Sequence, residues 1–154
     1  MIDKSTIENL TKEKINKTKI FLVEVKVDTN NNIKVFIDSK TGVSVDDCIS
    51  ISRHIEHSLD IEGENFALEV SSPGIGTPFK VFEQYEKVLG KTIEIILKTG
   101  DKNRGILSEL NKENFTIKYK VKEKPEGAKR PVWVDKNKTI DFADVKSTIE
   151  IITF

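Results

Sequence analysis

Residues 66–78 read FALEVSSPGIGTP, and this stretch constrains the fold more than any other part of the chain. An alternating apolar run stops at two serines, followed by a proline, two glycines and a second proline. Ser72-Pro73-Gly74-Ile75 suits a type II turn, with proline presetting φ at the second position and glycine taking positive φ at the third. Thr77 is pushed to extended geometry by Pro78. A chain leaving a strand through such a segment follows a fixed path with little slack, as a semi-rigid junction between two domains requires. The charge changes sign at the same place. Residues 1–73 carry 9 Lys/Arg against 13 Asp/Glu, a net of −4, and residues 74–154 carry 16 against 12, a net of +4. Opposite charge in the two halves points to different partners for each.

The two halves also differ in periodicity. In the first, Ile7, Leu10 and Ile15 mark a helix over 3–17. Phe21, Val23, Val25 and Val27 alternate with Leu22, Glu24, Lys26 and Asp28, and Ile33, Val35 and Ile37 alternate again after a polar Thr29–Asn32 turn, which predicts an antiparallel hairpin. Ser44 is placed to cap a second helix whose first turn holds Asp46 and Asp47. Val45, Cys48, Ile49, Ser52, Ile55 and Leu59 form its expected apolar face. Phe66, Leu68 and Val70 give a third strand. The order α-β-β-α-β implies an α+β layer, two helices on one face of a small sheet. In the second half, residues 79–89 suit a short helix closed by Gly90. Beyond it, Ile93–Leu97, Ile106–Leu107, Phe115–Val121 and Val132–Val134, then Ile140–Phe142 and Ile149–Phe154, are six short apolar segments read together as five short strands. Residues 99–104 (TGDKNR) and 111–114 read as turns, and 142–147 as a turn of helix. Five strands at such spacing suggest a small antiparallel barrel. The expected organisation is an α/β domain over 1–74, a junction and short helix over 75–90, and a barrel over 91–154.

Composition narrows the functional classes. With 37% apolar and 32% charged residues in 154, the chain suits a modest core under a charged surface. No apolar run approaches the roughly 18 residues of a membrane helix, and MIDKSTIENL lacks the basic and apolar regions of a secretory signal. A single cysteine, Cys48, excludes an internal disulfide and fits a reducing cytosol. Enzymatic motifs are missing. The junction has neither the Walker A pattern nor GxGxxG. His54 and His57 are three apart with no completing ligands, so solvated histidines are the expectation. Cys48 falls on the apolar helix face as a small core residue. Asp46 and Asp47 do not face each other and read as helix-start acids. The run Asp60, Glu62, Glu64 reads as a solvated loop, and Phe154 as a core residue.

Two segments carry binding chemistry. In the junction, Ser71 and Ser72 offer hydroxyls beside Pro73, and Gly74 and Gly76 allow amides to approach a phosphate closely. The second segment, 118–138, holds eight Lys/Arg against three acids. Lys118, Lys120 and Lys122 share one face of a strand, and Lys124, Lys129 and Arg130 crowd the following loop beside Tyr119 and Trp133. Cations among aromatics suit phosphate contact and base stacking. An edge strand guarded by lysines against aggregation would look the same in sequence.

LEVSSPG at Leu68–Gly74 resembles the signature of the ribosome maturation factor RimP family. VDDC at Val45–Cys48, ISR at Ile51–Arg53, LD at Leu59–Asp60, GKTIEIIL at Gly90–Leu97 and GIL at Gly105–Leu107 extend the resemblance over nearly the whole chain. The resemblance implies an N-terminal α/β domain and a C-terminal barrel of the Sm/SH3-like type. It implies a non-catalytic, cofactor-free assembly factor for the small ribosomal subunit, touching 16S-type rRNA and a small-subunit ribosomal protein. A cytoplasmic monomer with no membrane contact is expected. The family's motif usually continues with an acid and an arginine, where this chain has Gly76 and Thr77; Lys80, two residues beyond Pro78, is the available substitute cation. The rival expectation is a protein–protein adaptor whose SH3-like barrel binds peptides without RNA, since such barrels support both uses.

Overall fold

A computed structural model of the protein describes residues 2–59 and 65–152. It divides into two compact units between Gly74 and Ile75.

The first unit is built around a hairpin. Strands β1 (Phe21–Val27) and β2 (Asn32–Asp38) pair antiparallel, Val25 opposite Val35 and Val27 opposite Ile33. Their turn is held by the Asp28 carboxylate, which accepts from Asn30 N, Asn32 N and Asn32 Nδ2 at 2.8–2.9 Å, while Asn31 takes φ +58. Strand β3 (Ala67–Ser71) adds to β2 in parallel, Ile33 beside Leu68 and Val35 beside Val70, so β2 is central. A parallel neighbour needs a crossover, and helix α2 (Val45–Ser58) supplies it. Helix α1 (Lys4–Ile15) packs on α2 and β1. Ile7, Ile51 and Ile55 from the helices join Val25, Ile33, Val35 and Ile37 in one core, which makes the unit two layers.

Helix α2 starts where the sequence places its cap. Ser44 Oγ accepts from Asp47 N at 3.0 Å and the Asp47 carboxylate accepts from Ser44 N at 2.9 Å, a reciprocal box. Its buried face is rotated from the expected one. Ile51 and Ile55 are buried, and Cys48 and Leu59 pack against the core, but Val45 is 75% exposed and Ile49 43%. The expected stripe took in Val45 and Ile49 and passed over Ile51; the sheet selects the angular sector centred on Ile51 and Ile55. The turn after β3 also differs. It sits on Ile75–Gly76, two residues later than expected, with Gly76 at φ +88 and open space where its Cβ would be. Glycine is therefore needed there for the sign of φ and not for room.

The second unit is a five-stranded antiparallel sheet with a short helix, α3 (Phe82–Lys87). Strands β4 (Thr92–Leu97), β5 (Lys102–Leu110), β6 (Asn114–Glu123) and β7 (Val132–Asp141) form a meander, and β8 (Val145–Glu150) returns to pair with β4. The order is β7-β6-β5-β4-β8, and among the described residues no pairing joins β7 to β8, so the sheet is not a closed barrel here. Two expected boundaries move. TGDKNR is a turn only as far as Asp101, because Lys102 already pairs with Ile96. Val132–Asp141 is one strand, its polar centre Asp135–Lys138 carried by continuous pairing to β6. Residues 142–144 form a 3₁₀ turn, and Val145 begins β8. Ile93, Ile95, Leu107, Phe115, Ile117 and Ile140 fill this unit's own core with Tyr85 and Val88. Tyr85 donates to Thr148 Oγ1 at 2.7 Å, and burial pushes its hydroxyl above the usual range. Phe154 and the acidic run at 60–64 lie outside the described residues.

Candidate nucleic-acid interface

Period two along β6 sends Phe115 and Ile117 into the core and Lys118, Lys120 and Lys122 to the exposed face. In an antiparallel pair, residues directly opposite share a face. Across to β7, Lys118 is opposite Asn137, Lys120 opposite Asp135 and Lys122 opposite Trp133. The Lys122 ammonium lies 5.4 Å from the Trp133 ring centroid, and the indole is 64% exposed. Across to β5, Lys118 is opposite Ile106, which is 46% exposed. Period two then places Arg104 and Lys102 on the same face.

Strand β6 is interior, paired on both sides. Lysines that protect an unpaired edge belong on β7 or β8, so edge protection does not account for Lys118, Lys120 and Lys122. The β7 cations Lys136 and Lys138 point to the other face, where Lys136 pairs with Glu123 at 3.1 Å and Lys138 donates to Asn103 Oδ1 at 3.1 Å.

One end of this face is anchored by a carboxylate. Glu94 accepts from Arg104 at 2.8 Å and lies 3.6 Å from Lys102. The Arg104 hydrogen bond is the main reason its carboxyl is held below the ordinary range; partial desolvation opposes this and Lys102 adds to it. The single Glu94 carboxylate offsets one of the two charges of Arg104 and Lys102, and the β6 lysines and the indole continue the cationic face. Lys124, Lys129 and Arg130 lie exposed in the β6–β7 connection, beyond the Glu123–Val132 pair that ends the ladder. They stand at the hairpin tip beside the Lys122–Trp133 end of the face.

The junction residues are divided between the two units. Ser71 closes β3 opposite Phe36 and is half-buried; Ser72 and Gly74 are exposed and Pro73 half-buried. Gly76 and Lys80 belong to the second unit. The exposed Lys80 has its backbone N–H bonded to the Gln84 carboxamide at the start of α3. Sequence reasoning missed Arg104, Lys102 and Ile106. Their period-two spacing was the available signal, hidden because TGDKNR reads as a turn.

Cys48, His54 and His57 all lie on α2. Burial chiefly, then Asp47, raises the Cys48 thiol, which disfavours the thiolate a nucleophile needs. His54 Nε2 lies 3.5 Å from Glu13, and His57 is exposed. Among the described residues no three His, Cys, Asp or Glu side chains converge to hold a metal. No helix among the described residues is long and apolar enough to cross a membrane.

Residues 8–76 match the RimP N-terminal domain family. Among curated proteins, the chain is 36% identical over 152 residues to the ribosome maturation factor RimP of Porphyromonas gingivalis, covering 99% of this chain and all of the relative. It is 34% identical over 135 residues to the protein of that name from Christiangramia forsetii, 88% of each chain. It is 35% identical over 136 residues to that of Flavobacterium psychrophilum, 88% of this chain and 87% of the relative.

Proposed function

The chain belongs to the RimP family of ribosome maturation factors, and from that membership we propose that it serves maturation of the small ribosomal subunit by binding immature 16S-type rRNA through the exposed β5–β6–β7 face. The observation that carries this reading is the row Lys118, Lys120, Lys122 on an interior strand, ending at an exposed indole. Edge protection does not account for lysines there, whereas phosphates and an unstacked base are matched by a cationic row and an exposed aromatic ring. Lys124, Lys129 and Arg130 at the hairpin tip extend the same track. In this reading the second unit is an Sm/SH3-like barrel variant. Its four-strand meander with a fifth strand returned to the first is the connectivity that closure requires.

The first unit, with its net charge of −4, is the natural partner of a basic small-subunit ribosomal protein. The junction residues Ser71, Ser72, Pro73, Gly74 and Gly76 connect the two binding domains over 1–74 and 91–154 and set the chain's path between them. The protein acts as a cytoplasmic monomer by binding and release, with no chemical step.

The test is binding of the full chain to small-subunit rRNA over a range of salt, with Lys120→Glu, Lys122→Glu and Arg130→Glu combined. Each phosphate that is no longer neutralised should reduce the slope of log affinity against log salt by roughly 0.7–0.9, so a drop of roughly 2–3 is expected for the three substitutions. The same variant should leave the small-subunit fractions of a gently lysed cell on sedimentation. An unchanged slope would remove this face from the RNA interface.

A further inference from the structure

The second unit carries another feature, between α3 and β8, that the RNA face does not use. Phe79, Phe82 and Phe142 line a groove over the buried Tyr85, and three exposed lysines, Lys80, Lys112 and Lys146, surround it. None of the residues lining this groove is acidic. Among the described residues no carboxylate lies within ion-pair distance of these three ammonium groups. Phe79 and Phe142 pack against the unit's core and Phe82 against Phe142, yet all three phenylalanines remain half-buried.

The rings form the walls of the groove. Phe79 meets Tyr85 edge-on at 5.0 Å and 88°, and Tyr85 meets Phe142 at 5.0 Å and 82°. Phe82 meets Phe142 at 6.0 Å and 67°, and the Lys112 ammonium caps its ring 3.8 Å from the centroid. The rings meet edge-to-face and the Lys112 ammonium covers one face of Phe82, which leaves a recess with apolar walls. An aliphatic or aromatic side chain needs only apolar walls, which the edges supply. We propose that this groove is a docking site for an acidic peptide segment of a partner protein, anchored by one apolar side chain between Phe79, Phe82 and Phe142, with its carboxylates on Lys80, Lys112 and Lys146.

Charge complementarity sets the sign of the partner's charge. Three cations around a groove without acids repel a basic segment and attract an acidic one. Lys112 has a double role. Its ammonium rests on Phe82 when the groove is empty and is already positioned to receive a carboxylate at little cost in side-chain ordering. The inference goes beyond the proposed rRNA contact and shares no residue with the β5–β6–β7 face, so each can fail independently of the other.

The experiment is an amide chemical-shift titration of the full-length protein. The probes are a short synthetic peptide rich in Glu and Asp around one Leu and one Phe, its counterpart with Lys for every acid, and oligouridylate. The acidic peptide should shift the amides of Lys80, Phe82, Lys112 and Ser147, and its affinity should fall with salt. Lys112→Glu with Lys146→Glu should weaken it at least about tenfold. Unchanged dispersion of the remaining amides shows that this variant folds, and its rRNA binding should be unaltered. The proposal is overturned if the acidic peptide leaves the groove amides in place, if charge reversal does not weaken it, or if the basic peptide binds equally. Oligouridylate shifting these amides where the peptide does not would overturn it in favour of an RNA contact.

Discussion

Gly105 shows how one residue without a side chain governs the second unit. It faces the core on β5, and a Cβ placed there would lie 2.7 Å from the Lys118 carbonyl oxygen and 3.2 Å from Ile117 Cβ. The obstructing atom is backbone on a paired strand and cannot swing aside. Gly105→Ala should therefore destabilise by about 1–3 kcal/mol, more than the roughly 0.4–1 kcal/mol gained from a stiffer unfolded chain. A lowered denaturant midpoint checks this. On the other face, Glu94 gives a pH prediction. Its carboxyl is depressed in the folded protein, chiefly by Arg104. Its contribution is therefore present above the unfolded value of 4.5 and lost as pH falls through the lower folded value. Urea midpoints of the wild type and Glu94→Gln should differ at neutral pH and converge as the pH is lowered below that folded value. A constant gap across pH would show that the carboxylate charge is not what matters.

At the scale of elements, α2 separates what local sequence decides from what packing decides. Its N-terminus is local: Ser44, Val45, Asp46 and Asp47 in succession specify a capped start, and the cap forms as the spacing requires. Its buried face is not local, since more than one sector of the helix is apolar. Ile55 is fully buried and Val45 is 75% exposed, although both belong to the apolar stripe legible in sequence. Ile55→Ala should cost about 2–5 kcal/mol and Val45→Ala no more than about 0.5 kcal/mol, read as shifts in unfolding midpoint. Equal costs would mean the helix is rotated from this description. The basic face has the same division. The shared face of Lys118, Lys120 and Lys122 is legible from period two alone. Their placement on an interior strand, and the company of Arg104 and Ile106, depend on which strands pair and in what register.

At the scale of the molecule, two cores with no common residue imply separable cooperative units. Hydrogen exchange should show Ile55→Ala loosening amides of residues 2–59 and 65–74 while those of β4–β8 keep their protection. Phe115→Leu should do the reverse. Loss of protection throughout the chain in either variant would show a single cooperative unit.

The amino-acid sequence by itself determined the order of helices and strands, the cap of α2, the Asn-rich hairpin turn and the lysine row of β6. Each depends on side chains only a few residues apart, whose periodicity and backbone preferences act locally. Tertiary structure alone decided that β3 lies parallel to β2, that β6 is interior, that α2 buries Ile51 and Ile55, and that Lys80, Lys112 and Lys146 surround one groove. Those outcomes depend on contacts between residues distant in the chain, where several pairings satisfy the same local pattern and only the shared burial of apolar surface selects among them.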